Sequence, residues 1–316
     1  MAVVTAFDVE LATTEFSNAI LLLLQQSDSR LRASVDTGFH IGKTASPVQY
    51  IAPMVFRQAG ARGSTITPQY AQYQRRWVNP GDHVLPVLVD TFDLLRSTAD
   101  PKSAITTTMA AAANRLFDDV IIGAFFGAST TGADSSALTT ETFNSGSNFP
   151  ISVAIADTFG AGTEVGMTVK KIIEGKRILS KYENNLDQME VHLGMTSQAE
   201  ADLMGQIEVT NLDYTMRPKY DERGRITSFL GCTFHYSERW PYAAADSDER
   251  YLPMWVQDGM HLGLWMDVNT TISQRTDLEG LPWQAYSMLT LGATRLQAGK
   301  VIRISCLDST GGSVTV

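Results

Sequence analysis

"DPKSAITTTMAAAANRLFDDVIIGAFFG", residues 100–127, carries the longest helical period in the chain. Ile105, Met109, Ala112, Ala113, Leu116, Phe117, Val120, Ile121, Ala124 and Phe125 follow the three-to-four spacing that gathers side chains on one face of a helix. Asp100 offers a carboxylate to the free N–H groups of a first turn, and Pro101 suits the first helical position because its ring pre-sets φ. Gly127 suits the stop. A helix over 101–126 would run about 39 Å. Arg115, Asp118 and Asp119 are expected on its surface as an ion pair, contributing roughly a few tenths of a kcal/mol. Taken alone this is a long core helix; its flanks give it meaning.

On the N-terminal side, residues 41–81 contain Lys43, Arg57, Arg62, Arg75 and Arg76 and no Asp or Glu. That stretch carries +5 while the chain carries −9, which leaves −14 for the rest. "VQYIAPMVF" and "TITPQYAQYQRRWV" have strand composition, and "RQAGARGST" between them supplies Gly60 and Gly63 for a turn. Strands of about ten residues would reach roughly 33 Å. Pro53 and Pro68 suit exposed edges. With few large aliphatic residues, such a hairpin must lean on something else. Further back, "DVELATTEFSNAILLLLQQSDSRLRASV" gathers Leu11, Phe16, Ala19, Ile20, Leu23 and Leu24 on one helical side. Two readings stand: a helix docked on its own domain, or an arm laid on a neighbouring subunit.

On the C-terminal side a Ser/Thr/Gly-rich loop marks a subdomain boundary. "TVKKIIEGKRILSKYE" then places Val169, Ile172, Ile173, Leu179 and Tyr182 on one helical face, with Lys170, Lys171, Lys176, Arg177 and Lys181 as a solvated basic face. "MEVHLGM" reads as a strand and "TSQAEADLMGQ" as a helix, with Ser197 and Glu200 at capping-box spacing. "GRITSFLGCTFHYSERWP" is strand, turn, strand, and the tail is β-rich, ending in the alternating "KVIRISC". The chain is α+β.

Its 316 residues can bury a core. The net charge of −9 argues against a general nucleic-acid binder. Cys232 and Cys306 are too few for a disulfide framework and are read as buried thiols. The first basic residue is Arg30, so no charged region precedes "ILLLL", which is too short to cross a bilayer; a soluble protein made in a cytoplasm is expected. His40, His83, His192, His235 and His261 are scattered without metal-ligand spacing and are read as structural or surface residues. The chain has no GxSxG elbow and no Walker A loop, and the third glycine of "GAGTEVG" is one residue too far for a dinucleotide loop. Trp77, Trp240, Trp255, Trp265 and Trp283 are assigned to packing. No catalytic, cofactor or metal residue is named.

In their order and spacing these segments resemble a tailed-bacteriophage major capsid protein of the HK97-like fold, over nearly the whole chain. Residues 48–78 fall where that family has its extended hairpin, the E-loop. Residues 100–127 fall at the spine helix of the peripheral (P) domain. "MEVHLGMTSQAEADLMGQ" is similar to a strand and helix of the axial (A) domain, and "GATRLQAGKVIRISC" to the closing P-domain strand. The resemblance implies an N-terminal arm at 1–40, the E-loop hairpin and its base at 41–90, and a P domain at 91–160 with its spine helix at about 101–126. It places mainly A domain at 161–260, and at 261–316 the return strands of both domains with the C-terminal tail.

The implied function is a structural subunit that performs no turnover and needs no cofactor. It self-assembles through hexamers and pentamers into an icosahedral shell around double-stranded DNA, which it does not bind sequence-specifically. Implied partners are a portal, a separate scaffolding protein and a decoration protein; assembly is expected in the bacterial host cytoplasm and residence in the virion, without a membrane. Some members begin with a long scaffolding segment; here the initial Met and the short run before the hairpin lead us to expect a separate scaffold. Lys43 is the sole lysine near the hairpin, and no isopeptide chemistry is assigned to it. Arg57, Arg62, Arg75 and Arg76 are the expected inter-subunit contacts, seating a basic arm on an acidic neighbour. Three other readings are carried: an encapsulin-like nanocompartment shell, another ring- or tube-forming virion component, and an α+β enzyme.

Overall fold

The structure, a computed structural model, describes residues 28–44, 49–51, 54, 56–58, 60–63, 65–66, 68–70, 73–90, 102–132, 138–143, 153–182, 184–186, 188–206, 218–244 and 248–308. In chain order a 3-10 turn (Arg32–Ser34) leads into β1 (Asp36–Phe39), β2 (Gln49–Ile51), β3 (Tyr73–Trp77) and β4 (Gly81–Val89). Then follow α1 (Lys102–Phe126), β5 (Ser129–Thr131), β6 (Thr139–Glu141), β7 (Ala154–Ile155), α2 (Val169–Lys181), β8 (Val191–Met195) and α3 (Ser197–Met204). The chain closes with β9 (Lys219–Tyr220), β10 (Ile226–Phe229), β11 (Cys232–Tyr236), β12 (Glu249–Val256), β13 (Met260–Gln274), β14 (Trp283–Arg295) and β15 (Val301–Leu307). Helices and sheets mix along the chain as the α+β reading requires.

The chain divides into two compact units. One holds Asp82–Arg115 and Asp267–Leu289; the other holds Ser29–Gly81, Leu116–Met266 and the residues from Thr290 onward. The first contains β4, the first half of α1, and the parts of β13 and β14 that flank their connecting turn. Along β14, Ala285, Ser287 and Leu289 are buried on alternate positions, the period-two signature of a strand with one covered face. Val84, Leu88, Val268 and Ile272 leave apolar surface in water in the same unit.

The second unit is organised by a seven-stranded sheet of order β7-β15-β12-β8-β11-β10-β9. β12 pairs antiparallel with β15 along its length and with β8, which runs parallel to β11. Every residue of β8 is buried, as befits a central strand covered on both sides. β10 and β11 are joined by Leu230 and Gly231, both at positive φ (53° and 75°), the two-residue turn whose twist matches that of paired strands. Phe125 of α1 lies 4.7 Å from Trp255 and 6.0 Å from Trp240, ring to ring. The indole N–H of Trp255 donates to the Ser34 carbonyl at 3.0 Å and that of Trp240 to Met195 at 3.2 Å, so both buried rings keep their one polar group satisfied.

α1 ends as expected, Gly127 N donating to Gly123 O at 3.0 Å. Asp100 and Pro101 lie outside the described residues, as does the N-terminal helical reading up to residue 27. Among the described residues no helix is long and apolar enough to cross a membrane.

Four local expectations are corrected. Asp118 is not on the surface: it is 1% exposed and accepts from Ser29 Oγ at 2.6 Å and from the backbone N–H groups of Arg30 and Leu31. It acts as a cap for the 3-10 turn, while Asp119 pairs with Arg239. Lys171 is not on a solvated face. Its buried Nζ donates to the carbonyls of Val165, Gly166 and Ser305 at 2.8–2.9 Å, and Ile173 is the exposed one. Ser197 is not the cap of α3, because Thr196 Oγ1 accepts from Ala199 N at 3.1 Å. Glu200 turns instead to Ile226 N and the Tyr236 hydroxyl. Finally, the hairpin ladder is short among the described residues. β2 and β3 pair over 49–51 and 73–75, and the described residues between them form no strand, since a two-stranded ladder with no second layer gains little from extending.

Candidate functional site

The hairpin arm, part of the second unit, is paired at its root where β2 meets β3. Arg57 and Arg62 are both exposed, with Arg62 and Gly63 (φ 83°) in a turn. Around them Phe56 is fully exposed and Met54, Ile66 and Tyr70 are largely so. Large apolar side chains beside unburied guanidinium groups form a surface that its own subunit does not cover. Arg75, at the root, is half-buried.

Arg76 behaves differently and leaves the set of docking residues. It is 1% exposed, and its guanidinium meets Glu141 at 2.8 Å, Ser129 Oγ at 2.8 Å and the Leu296 carbonyl at 3.2 Å. Alternation along β3 turns Arg75 and Arg76 to opposite faces, so one of two adjacent arginines necessarily enters the protein. Its register places it there: Arg76 pairs with Thr131 of β5, which in turn pairs with β6, the strand that ends in Glu141. Arg76 is therefore the anchor of the arm. Trp77 adds to it, its indole N–H donating to Gly132 O at 3.0 Å.

A second buried arginine completes the anchor. Arg295 donates to the carbonyls of Phe125 at 2.6 Å and Gly127 at 2.9 Å, satisfying orphan groups at the end of α1. Burial, then the nearby positive charge of Arg76, lowers its pKa to about 10, with Glu141 opposing. The end of the long helix and the root of the arm thus share one ionic cluster. Neither contact is visible in sequence, because each joins segments far apart along the chain.

The other chemistry-bearing residues are structural in this setting. Cys232 and Cys306 are free, buried thiols, pushed up to about 11 and about 12 by burial. Among the described residues no group of three or more His, Cys, Asp or Glu side chains is placed to hold a metal ion. Yet four of the scattered histidines are paired. His235 Nε2 lies 3.1 Å from His192 Nδ1, because β8 and β11 run side by side, and burial followed by His235 pushes His192 down to about 4. His40 Nε2 lies 2.8 Å from His261 Nε2, whose Nδ1 meets Asp36 at 2.7 Å. Sequence spacing gave no signal for either pair. A cleft beside β7 and α2 is lined by Phe159, Glu174, Arg177 and Tyr182, but Glu174 and Arg177 are engaged with each other.

A family model of phage capsid proteins matches residues 10–308. No curated protein matches the sequence. Among solved structures, the chain is similar to a capsid chain of cyanophage P-SCSP1u, at a TM-score of 0.66 and 12% identity with 95% of each chain covered. It is equally similar in fold to the capsid of cyanophage Pam1, at a TM-score of 0.66 and 13% identity over 94% of this chain and 97% of that one. The capsid of a native GTA particle follows at 0.62 and 12%, covering 97% and 99%. At such identities the likeness is one of fold.

Proposed function

From the premise that this chain belongs to the phage capsid protein family, we propose that it is the major capsid protein of a tailed phage, a subunit that tiles with its own copies into an icosahedral shell around double-stranded DNA. It has an α+β HK97-like fold and serves as a structural subunit of the virion capsid. Capsid similarity over nearly the full length disfavours the enzyme and nanocompartment readings.

The observation that carries the docking part of the proposal is the arm. Arg57 and Arg62 are exposed beside Phe56, Ile66 and Tyr70, while Arg76 is held inside by Glu141. A neighbour offering carboxylates around an apolar seat would cover the arm. Individual exposed pairs contribute about 0–1 kcal/mol, so the effect accumulates by repetition over a closed shell. In this reading α1 is the spine of a P domain, and the seven-stranded sheet with α2 and α3 belongs mainly to an A domain. Hexamers and pentamers form in the host cytoplasm with a portal and a separate scaffolding protein, and a decoration protein binds the finished shell.

The test is the triple variant Arg57→Ser, Arg62→Ser, Arg75→Ser, sparing Arg76 so that the subunit itself stays intact. Negative-stain microscopy and sedimentation should show fewer closed particles, and the remaining assembly should depend less on added salt than wild type does. Wild-type particle yield with unchanged salt response would refute the docking role.

A further inference from the structure

We propose that His40 and His261 form a binding site for one transition-metal dication of the zinc class, with Asp36 orienting one of the two imidazoles. The site follows from strand pairing. β1 runs parallel to β13 with Asp36 opposite His261 and Gly38 opposite Gly263, and His40 N continues the ladder by donating to Leu264 O at 2.8 Å. This brings two ring nitrogens, His40 Nε2 and His261 Nε2, to 2.8 Å with nothing between them.

The carboxylate decides which nitrogen is available. In the neutral tautomer that donates its Nδ1–H to Asp36 Oδ2, at 2.7 Å, the Nε2 lone pair of His261 points at His40. Without metal, His40 Nε2–H donates to that lone pair. When His40 carries its proton on Nδ1 instead, two lone pairs converge on one point. Metal–nitrogen bonds of about 2.0–2.1 Å in tetrahedral geometry need the nitrogens roughly 3.3 Å apart, so the pair opens by about half an ångström. A carboxylate hydrogen-bonded to the far nitrogen of a ligating imidazole is the usual support of such ligands.

The rings have room only because both intervening residues are glycine. A Cβ on Gly38 would stand 2.9 Å from His261 Cε1, and one on Gly263 would stand 2.9 Å from His40 Cδ2. His261 is buried, while His40 is part-exposed and packs 5.4 Å from the Trp265 ring, whose indole N–H is held by Gly42 O. Solvent therefore reaches the pair from the His40 side, and water completes the coordination shell. Burial, then His261, lowers the His40 pKa from its ordinary value, with Asp36 opposing. The His192–His235 pair differs: His192 is buried and His235 half-buried, both packed against Trp255, and among the described residues no carboxylate is hydrogen-bonded to either ring. A bound ion would fasten β1 to β13. This goes beyond the assembly proposal and does not depend on it.

Calorimetric titration of zinc chloride into the full-length, metal-stripped protein tests it. Wild type is expected to bind one equivalent reversibly with EDTA, Asp36→Asn to bind about 10–100-fold more weakly, and His40→Gln to lose the site. His235→Gln should bind as wild type. His40→Gln is the deciding variant because its part-exposed ring can be changed without opening the core. Circular dichroism matching wild type confirms that it is folded. No binding by wild type, or wild-type affinity in His40→Gln or Asp36→Asn, overturns the proposal.

Discussion

Two adjacent arginines show how little residue type says about role. Arg75 and Arg76 look alike in "YQRRW", yet one sits at half-exposure and the other at 1% against Glu141. The positive sign of the arm was legible; which charge it keeps for itself was not, since the matching carboxylate lies beyond α1. Breaking this pair is expected to be costly, because removing one member leaves an uncompensated charge inside. Glu141→Gln should lower subunit stability by about 3 kcal/mol, the lower end of the range for buried pairs because Glu141 retains some exposure. A urea midpoint shifted by that amount at unchanged slope checks it.

His192, buried beside the half-buried His235, couples stability to pH. His192 is held near 4 in the fold and rises to its ordinary 6.5 on unfolding. Between those values the unfolded chain binds the extra proton, so stability falls as pH drops from 6.5 towards 4 and is fully present above 6.5. The loss attributable to this group is roughly 3 kcal/mol. His192→Gln should flatten the acid limb of a stability–pH curve across that window; an unaltered limb would place the proton uptake elsewhere.

At the scale of elements, α1 was readable because its signal is local: the period of its apolar residues and Gly127 lie within the segment itself. On α2 the same local signal is insufficient. Helical geometry correctly put Lys171 beside Ile172, but only the tertiary structure brings the carbonyls of Val165, Gly166 and Ser305 to its ammonium group. The β10–β11 turn was also legible, through Gly231. Leu230 carries no such signal, although a branched residue at φ 53° is strained where asparagine or glycine would sit comfortably. Leu230→Asn should therefore stabilise the subunit by up to about 1 kcal/mol, read as a higher thermal midpoint; a lower midpoint would mean that lost side-chain packing outweighs the turn.

For the whole molecule, both thiols are sealed inside the subunit. With Cys232 and Cys306 pushed to about 11 and about 12, neither ionises near neutral pH or reaches a neighbour in this conformation. Native particles should show no thiol titre with a disulfide reagent at pH 8, two per chain after denaturation, and the same thermal stability with and without reductant. A native titre, or softening by reductant, would show that the thiols communicate with the surface.

Local patterns in the sequence determined the α+β order of elements, the length of the long helix and the positive sign of the arm, because period, composition and charge are properties of neighbours along the chain. Strand register and burial were decided only in three dimensions. They turned Arg76 inward, set Asp118 under the first turn of the described chain and joined histidines from distant segments, since pairing geometry depends on which strands meet.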